Sequence, residues 1–126
     1  VFGPRGILAA AGRGELVVSD RYVFSSLAYQ TVDCDPEFVL GLNARFPLPE
    51  FLVYLDVAPE LGEKRMTGRS GREIYEYRDF QSRAAANYGR LWERYSASGM
   101  RILIVDGGEE PGAIHERIWS FLGKFR

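Results

Sequence analysis

The stretch Leu16-Val17-Val18-Ser19-Asp20-Arg21-Tyr22-Val23-Phe24-Ser25-Ser26-Leu27-Ala28-Tyr29-Gln30 concentrates the side chains most suited to chemistry. An apolar run ends abruptly in an acid and a base, and small polar residues able to start a helix follow. In open α/β proteins ligands bind in the crevice outside the carboxyl ends of strands, which is where Asp20 and Arg21 would fall. A carboxylate there suits a water-mediated Mg²⁺ contact, and a guanidinium beside it suits two-point capture of a phosphate. For Asp-Arg alone, a buried strand capped by a structural ion pair is the simpler reading; the full run favours a site.

Three further stretches could join it. Arg65, Arg69 and Arg72 lie in a basic segment that ends in Glu73-Ile74-Tyr75-Glu76. Taken alone, such a charge run is most often a solvated surface. Tyr88 falls on the inward phase of the following helix, where a plain core aromatic is the expectation. Asp106-Gly107-Gly108 follows an apolar run and reads equally well as a turn or as a place where backbone approaches a ligand.

These positions need elements to hold them. Residues 7–11 read as the end of a helix, broken by Gly12 and Gly14. Glu15 to Ser19 is expected to be the first strand. Asp35-Pro36-Glu37 is a helix start, with an N-cap residue, Pro at the first helical position and an acid in the first turn. That helix should run through Phe38, Val39, Leu42 and Phe46 until Pro47 and Pro49 stop it. Phe51 to Asp56 is a continuous apolar strand, as expected where both faces of a parallel sheet are covered. A short helix from Pro59 to about Arg65 follows, and then an exposed loop over about 67–75. Residues 76–95 form a long helix with Phe80, Ala84, Tyr88, Leu91, Trp92 and Tyr95 on one side. Ile102 to Val105 is the last strand. A final amphipathic helix uses Ile114, Ile118, Phe121, Leu122 and Phe125. Strands alternating with helices predict an α/β fold, a parallel sheet covered by helices, in a single domain spanning 1–126.

Composition narrows the class. The 126 residues are 46% apolar and 26% charged with net charge −1, values of a globular chain with no polyanion-binding surface. No nucleic-acid or membrane partner is expected, since no segment reaches the apolar length of a span and no signal peptide opens the chain. Cys34 is the only cysteine, which excludes an intrachain disulfide and points to a reduced, cytoplasmic compartment. His115 is the only histidine and lies in the last amphipathic helix, where a surface or packing role is expected.

The run Asp20-Arg21-Tyr22 with Ser26 and Ala28-Tyr29-Gln30 resembles the signature of the thymidylate kinases. The resemblance continues in Tyr54-Leu55-Asp56-Val57-Ala58-Pro59-Glu60, the pair Lys64-Arg65, an arginine-bearing lid, a helix with Phe80 and Tyr88, and a last strand ending in Asp106. The two lid arginines resemble those of the bacterial type. The resemblance implies a nucleoside-monophosphate-kinase-like fold, ATP and dTMP as substrates, Mg²⁺ as cofactor and a homodimer. It also implies roles for individual residues. Arg21 would bind the dTMP phosphate. Asp20 would hold Mg²⁺ through water or orient the acceptor phosphate. Ser26 stands where a side chain meets the thymine edge, Tyr29 beneath the deoxyribose and Gln30 near the base. Arg65 would stack on adenine, and Gly107 and Gly108 would let backbone approach it. Arg69 and Arg72 would reach the transferring phosphoryl group as the lid closes.

No Gly-x-x-x-x-Gly-Lys-Ser/Thr run occurs in these residues, although a kinase of this kind needs one to cradle donor phosphates. The chain therefore reads as the C-terminal part of such a kinase, and alone it is expected to be inactive. Two alternatives stand beside this reading. A deoxynucleoside kinase would accept a sugar hydroxyl rather than a phosphate, and a non-catalytic kinase-like domain would bind nucleotide without turnover.

Overall fold

The computed structural model describes residues 1–64 and 71–123, with side chains for all of these except 62–64 and 71–75. Helix α1 covers Ile7–Gly12, α2 Val23–Tyr29 and α3 Pro36–Asn43, with a 3₁₀ turn at Gln30–Val32. Strand β1 spans Phe51–Asp56, α4 Pro59–Lys64, α5 Gly71–Tyr95, β2 Arg101–Asp106 and α6 Pro111–Gly123. The two strands pair in parallel, from Phe51 opposite Arg101 to Asp56 opposite Asp106. Parallel neighbours require a crossover, and here α4 and α5 supply it.

Local sequence accounts for most of these boundaries. The Asp35 side chain accepts the Phe38 N–H at 2.9 Å and so caps α3, whose first residue is Pro36. The helix stops at Asn43, short of Phe46, where the Asn43 amide turns back to the Val39 carbonyl at 2.9 Å. On α5, Ala84 and Leu91 are buried and Tyr88, Trp92 and Tyr95 are half-buried, an i, i+4, i+7, i+8, i+11 stripe.

The stripe packs on α2. Val23, Phe24, Leu27 and Ala28 are all buried there and join Val39, Leu91 and Met100 in one cluster. Phe24 meets Trp92 at 5.7 Å and the edge of Tyr95 at 5.3 Å. Burying a side chain such as Phe24 or Leu27 stabilises the fold by about 1.5–3 kcal/mol, so α2 is fastened directly to α5. Leu52 and Ile102 of the sheet pack against the same cluster, while Phe51 meets Phe121 of α6 at 5.8 Å.

Two expectations are corrected. Residues 15–19 are not a strand: they run without regular structure, with Leu16 90% and Val18 85% exposed. A parallel strand exists only through a neighbour's hydrogen bonds, and the described sheet consists of β1 and β2 alone. Local bonds tie the segment down instead, with the Glu15 N–H on the Ala10 carbonyl at 3.1 Å and its carboxylate on Arg13 Nε at 2.6 Å. The second correction concerns residues 71–75, expected in a loop, which form the first turns of α5. Once the downstream turns are anchored, a polar segment extends a helix at little cost, so it needs no apolar period of its own. The expected loop residues 67–70 lie outside the described residues. Helices flank the sheet as expected, and Val53, Leu55 and Ile104 within it are 36–49% exposed. The final helix carries Ile114, Ile118 and Phe121 half-buried and Leu122 exposed, and Phe125 lies outside the described residues. His115 is exposed, 6.3 Å from the Trp119 ring.

Candidate active site

The site is built where the irregular segment enters α2. Ser19 Oγ donates to the Arg21 carbonyl at 2.8 Å, and Arg21 adopts φ +59°, the left-handed region rarely taken by a residue with a Cβ. Tyr22 then returns to an extended conformation before the first turn of α2. This reversal sends the Arg21 side chain back along the helix, and its guanidinium lies 5.4 Å over the Tyr29 ring.

Tyr29 closes α2 and is held from several sides. Phe80 lies 5.8 Å away at a tilt, Tyr88 presents an edge at 6.1 Å, and the Tyr29 hydroxyl donates to Gln81 Oε1 at 3.4 Å. Ser26 is half-buried three residues before Tyr29, on the same helical face. Gln30 is exposed, and its carbonyl receives the Cys34 N–H at 2.9 Å. Arg21 and Tyr29 are thus in contact, with Ser26 and Gln30 beside Tyr29 on the helix. Asp20 is exposed next to Arg21.

Beneath this surface is a tyrosine cluster. Tyr88 packs against Tyr54 at 4.7 Å and Trp92 at 5.4 Å, which also meet each other at 5.2 Å, and its hydroxyl is 3.3 Å from Ser25 Oγ. Tyr88 is therefore the packed residue expected from its phase, with a polar link to α2 as well. Burial raises its pKa most, with Tyr29 adding to the rise, while the Ser25 hydrogen bond and the Arg21 charge pull it down. Burial and then the Asp56 carboxylate push the Tyr54 hydroxyl up to about 12. The Tyr22 hydroxyl is buried without a hydrogen-bond partner among the described residues, and burial raises its pKa. Ser25 and Gln81 carried no signal in the sequence, because their partners lie 63 and 52 residues away along the chain.

Gly107 and Gly108 sit elsewhere, in the turn that leaves β2. The Gly107 N–H bonds to the Asp56 carbonyl at 2.7 Å and the Gly108 N–H to Asp106 Oδ1 at 2.8 Å. A Cβ at 107 would collide with Val57 Cγ2, and one at 108 would lie 3.1 Å from Leu61 Cδ1. Close packing of the turn on the end of β1 thus favours glycine at 107, while 108 is tight against α4. Arg65 and Arg69 lie outside the described residues, and Arg72 lies in the first turn of α5 without a described side chain.

No group of three potential metal ligands occurs among the described residues. The single exposed carboxylate of Asp20 nonetheless fits Mg²⁺, which keeps most of its waters and takes only one or two carboxylates beside substrate phosphates. A groove of about 250 Å³ between α2, α3 and α5, lined by Leu27, Thr31, Leu40 and Leu91, includes none of the residues expected in the site. Among the described residues no helix is long and apolar enough to cross a membrane.

A family model described as thymidylate kinase matches residues 5–118. The chain is 38% identical over 127 residues to a putative thymidylate kinase of Treponema pallidum, covering 98% of the chain and 61% of that protein. It is 37% identical to a putative thymidylate kinase of Aeropyrum pernix, covering 91% of the chain and 60% of the relative. A thymidylate kinase of Solidesulfovibrio magneticus is 32% identical, with 94% and 62% covered. The chain thus spans about three fifths of the length of these relatives. Because the match runs through both strands and the Arg21–Tyr29 region alike, the chain belongs to the thymidylate kinase family.

Proposed function

We propose that the protein transfers the γ-phosphoryl group of ATP to dTMP, giving dTDP. The observation that carries this reading is the placement of Arg21: a cation presented beside the end of α2, resting on the ring of Tyr29 and paired with no acid among the described residues. Such a group can grip the acceptor phosphate in two-point fashion while Tyr29 meets the sugar. Ser26 on α2 and Gln30 at the start of the following 3₁₀ turn then face the base edge.

Asp20 would hold Mg²⁺ through water, and the bound ion would neutralise charge on the phosphates. Phosphoryl transfer asks mainly for positioning and for positive charge around the equatorial oxygens. In this reading Arg69 and Arg72 supply that charge, and Arg65 stacks on adenine. Gly107 and Gly108 bring backbone near the adenine. Closure of the arginine segment also keeps water from competing as acceptor. We further place the protein in the cytoplasm as a homodimer. Residues 1–126 contain no phosphate-cradling loop, so alone they transfer no phosphate.

The test uses the product of the complete reading frame with ATP and Mg²⁺, following ADP release with dTMP or thymidine as acceptor. Turnover with dTMP and none with thymidine is expected. Turnover with thymidine alone makes it a deoxynucleoside kinase, and binding of both nucleotides without turnover makes it a non-catalytic domain. In the active protein, Arg69→Ala or Arg72→Ala should lower kcat by roughly 10²–10⁴ with little change in KM for dTMP. A change in kcat below about twofold in both variants returns these arginines to an ordinary solvated surface.

A further inference from the structure

Of the groups around Tyr29, Tyr88 is the one with a second tie to the helix that carries it. Its edge meets the Tyr29 ring at 6.1 Å, and its hydroxyl is 3.3 Å from Ser25 Oγ. Ser25 precedes Tyr29 by four residues, so the two lie one above the other on the same face of α2. Ser25, Tyr88 and Tyr29 therefore form a closed circuit across the α2–α5 contact. Tyr88 itself has little freedom to shift, since its ring packs in a three-ring cluster with Tyr54 at 4.7 Å and Trp92 at 5.4 Å, the last two 5.2 Å apart. Those two rings join it to β1 and to the inward stripe of α5.

We propose that Tyr88 is a positioning residue for the acceptor: through the Ser25 hydrogen bond it fixes the azimuth of α2, and with its edge it fixes the plane of the Tyr29 ring. The inference rests on the reading above, in which Tyr29 meets the sugar of the acceptor. Steric exclusion of one hydroxyl from a sugar needs a wall placed to within about 0.5 Å. A tyrosine at a helix end, carrying only an exposed cation on its outer face, does not achieve that without support from below. Phe80 and Gln81 also touch Tyr29, but from α5 alone, so they cannot set the ring relative to the turn that presents Ser26.

Tyr88→Phe, made in the product of the complete reading frame, removes the hydroxyl and leaves the ring stack in place. Loss of one such hydrogen bond should raise KM for dTMP by about three- to tenfold, with kcat within about twofold. The preference for dTMP over its 2′-hydroxyl analogue should fall by about threefold or more, while KM for ATP and the melting temperature stay close to wild type. Ser25→Ala should reproduce both changes, and the double variant should be no worse than either single one, because the two substitutions break the same link. Unchanged KM and sugar preference in both variants, or additive effects in the double, overturn the proposal. Failure of the functional reading shows separately, as a wild-type protein that does not use dTMP, and the proposal falls with it.

Discussion

The Arg21 guanidinium lies 5.4 Å over the ring of Tyr29, which makes the charge expected to grip the acceptor phosphate and the ring expected to meet its sugar one mechanical unit. A flat guanidinium stacks on an aromatic face and still points a fixed pair of N–H groups outward, whereas an ammonium is a compact point charge without that planar fork. Arg21→Lys should therefore weaken dTMP binding by about tenfold or more. Thymidine offers no phosphate, so its affinity should fall by no more than the exposed cation–π contact allows, about fivefold. Calorimetric titration of both ligands into wild type and variant separates the cases. Equal losses for both, with a lowered melting temperature, would mean that Arg21 only braces the chain.

Arg21 also takes a backbone conformation that costs stability. Its φ of +59° is one that glycine adopts freely and other residues do not. Arg21→Ala and Arg21→Gly both remove the guanidinium, and only the second relaxes the backbone. The Gly variant should therefore be at least as stable as the Ala variant, by up to about 1 kcal/mol in urea unfolding, with acceptor binding lost in both. A Gly variant clearly less stable than Ala would contradict the left-handed geometry at this residue.

Local signals in the sequence fix much of this arrangement. The apolar runs ending at Asp56 and Asp106 mark both strands, because a short continuous apolar run rich in branched and aromatic residues has the length of a strand rather than of a helix. Asp35-Pro36 marks the start of α3 because capping is a local event. Leu16-Val17-Val18 has the same apolar character as β1 and yet forms no strand, since strand formation depends on a partner that pattern alone does not supply. Within the site, Arg21, Ser26 and Tyr29 are legible because they share one short run. Ser25, Gln81 and the polar role of Tyr88 are not, because each depends on how α5 lies across α2. The left-handed φ of Arg21 had no marker either, since no glycine announces it.

Tyr54 ties the fold to pH. Burial first, then Asp56, Tyr88 and Tyr29, push its hydroxyl from the ordinary 10.0 up to about 12. Above pH 10 the unfolded chain releases this proton while the folded chain keeps it, so the folded state binds more protons and stability falls as pH rises. The contribution is fully present below the unfolded value of 10.0 and lost toward 12. Tyr22 and Tyr88 are shifted in the same direction. Melting temperatures should thus drop between pH 10 and 12, and Tyr54→Phe should make the drop shallower. Phenolate absorbance should rise for this group together with unfolding. A Tyr54→Phe protein with the same alkaline profile as wild type would place the sensitivity elsewhere.

Gly107 separates a structural from a ligand-facing use of the turn after β2. A methyl group there would run into Val57 Cγ2 and sit 3.3 Å from the Asp56 carbonyl. Gly107→Ala should therefore destabilise the protein by about 1–3 kcal/mol, the usual cost of overpacking. Removing the obstructing branch with Val57→Ala should restore part of that loss in the double variant, because the clash and its relief share one contact. The nucleotide contact is a different matter. If backbone at 107 and 108 approaches adenine, the added methyl still stands between them after Val57 is trimmed, and KM for ATP should stay raised in the double variant while stability recovers. Recovery of both, measured by denaturant unfolding and by ATP saturation in the product of the complete reading frame, would leave the two glycines with the turn alone.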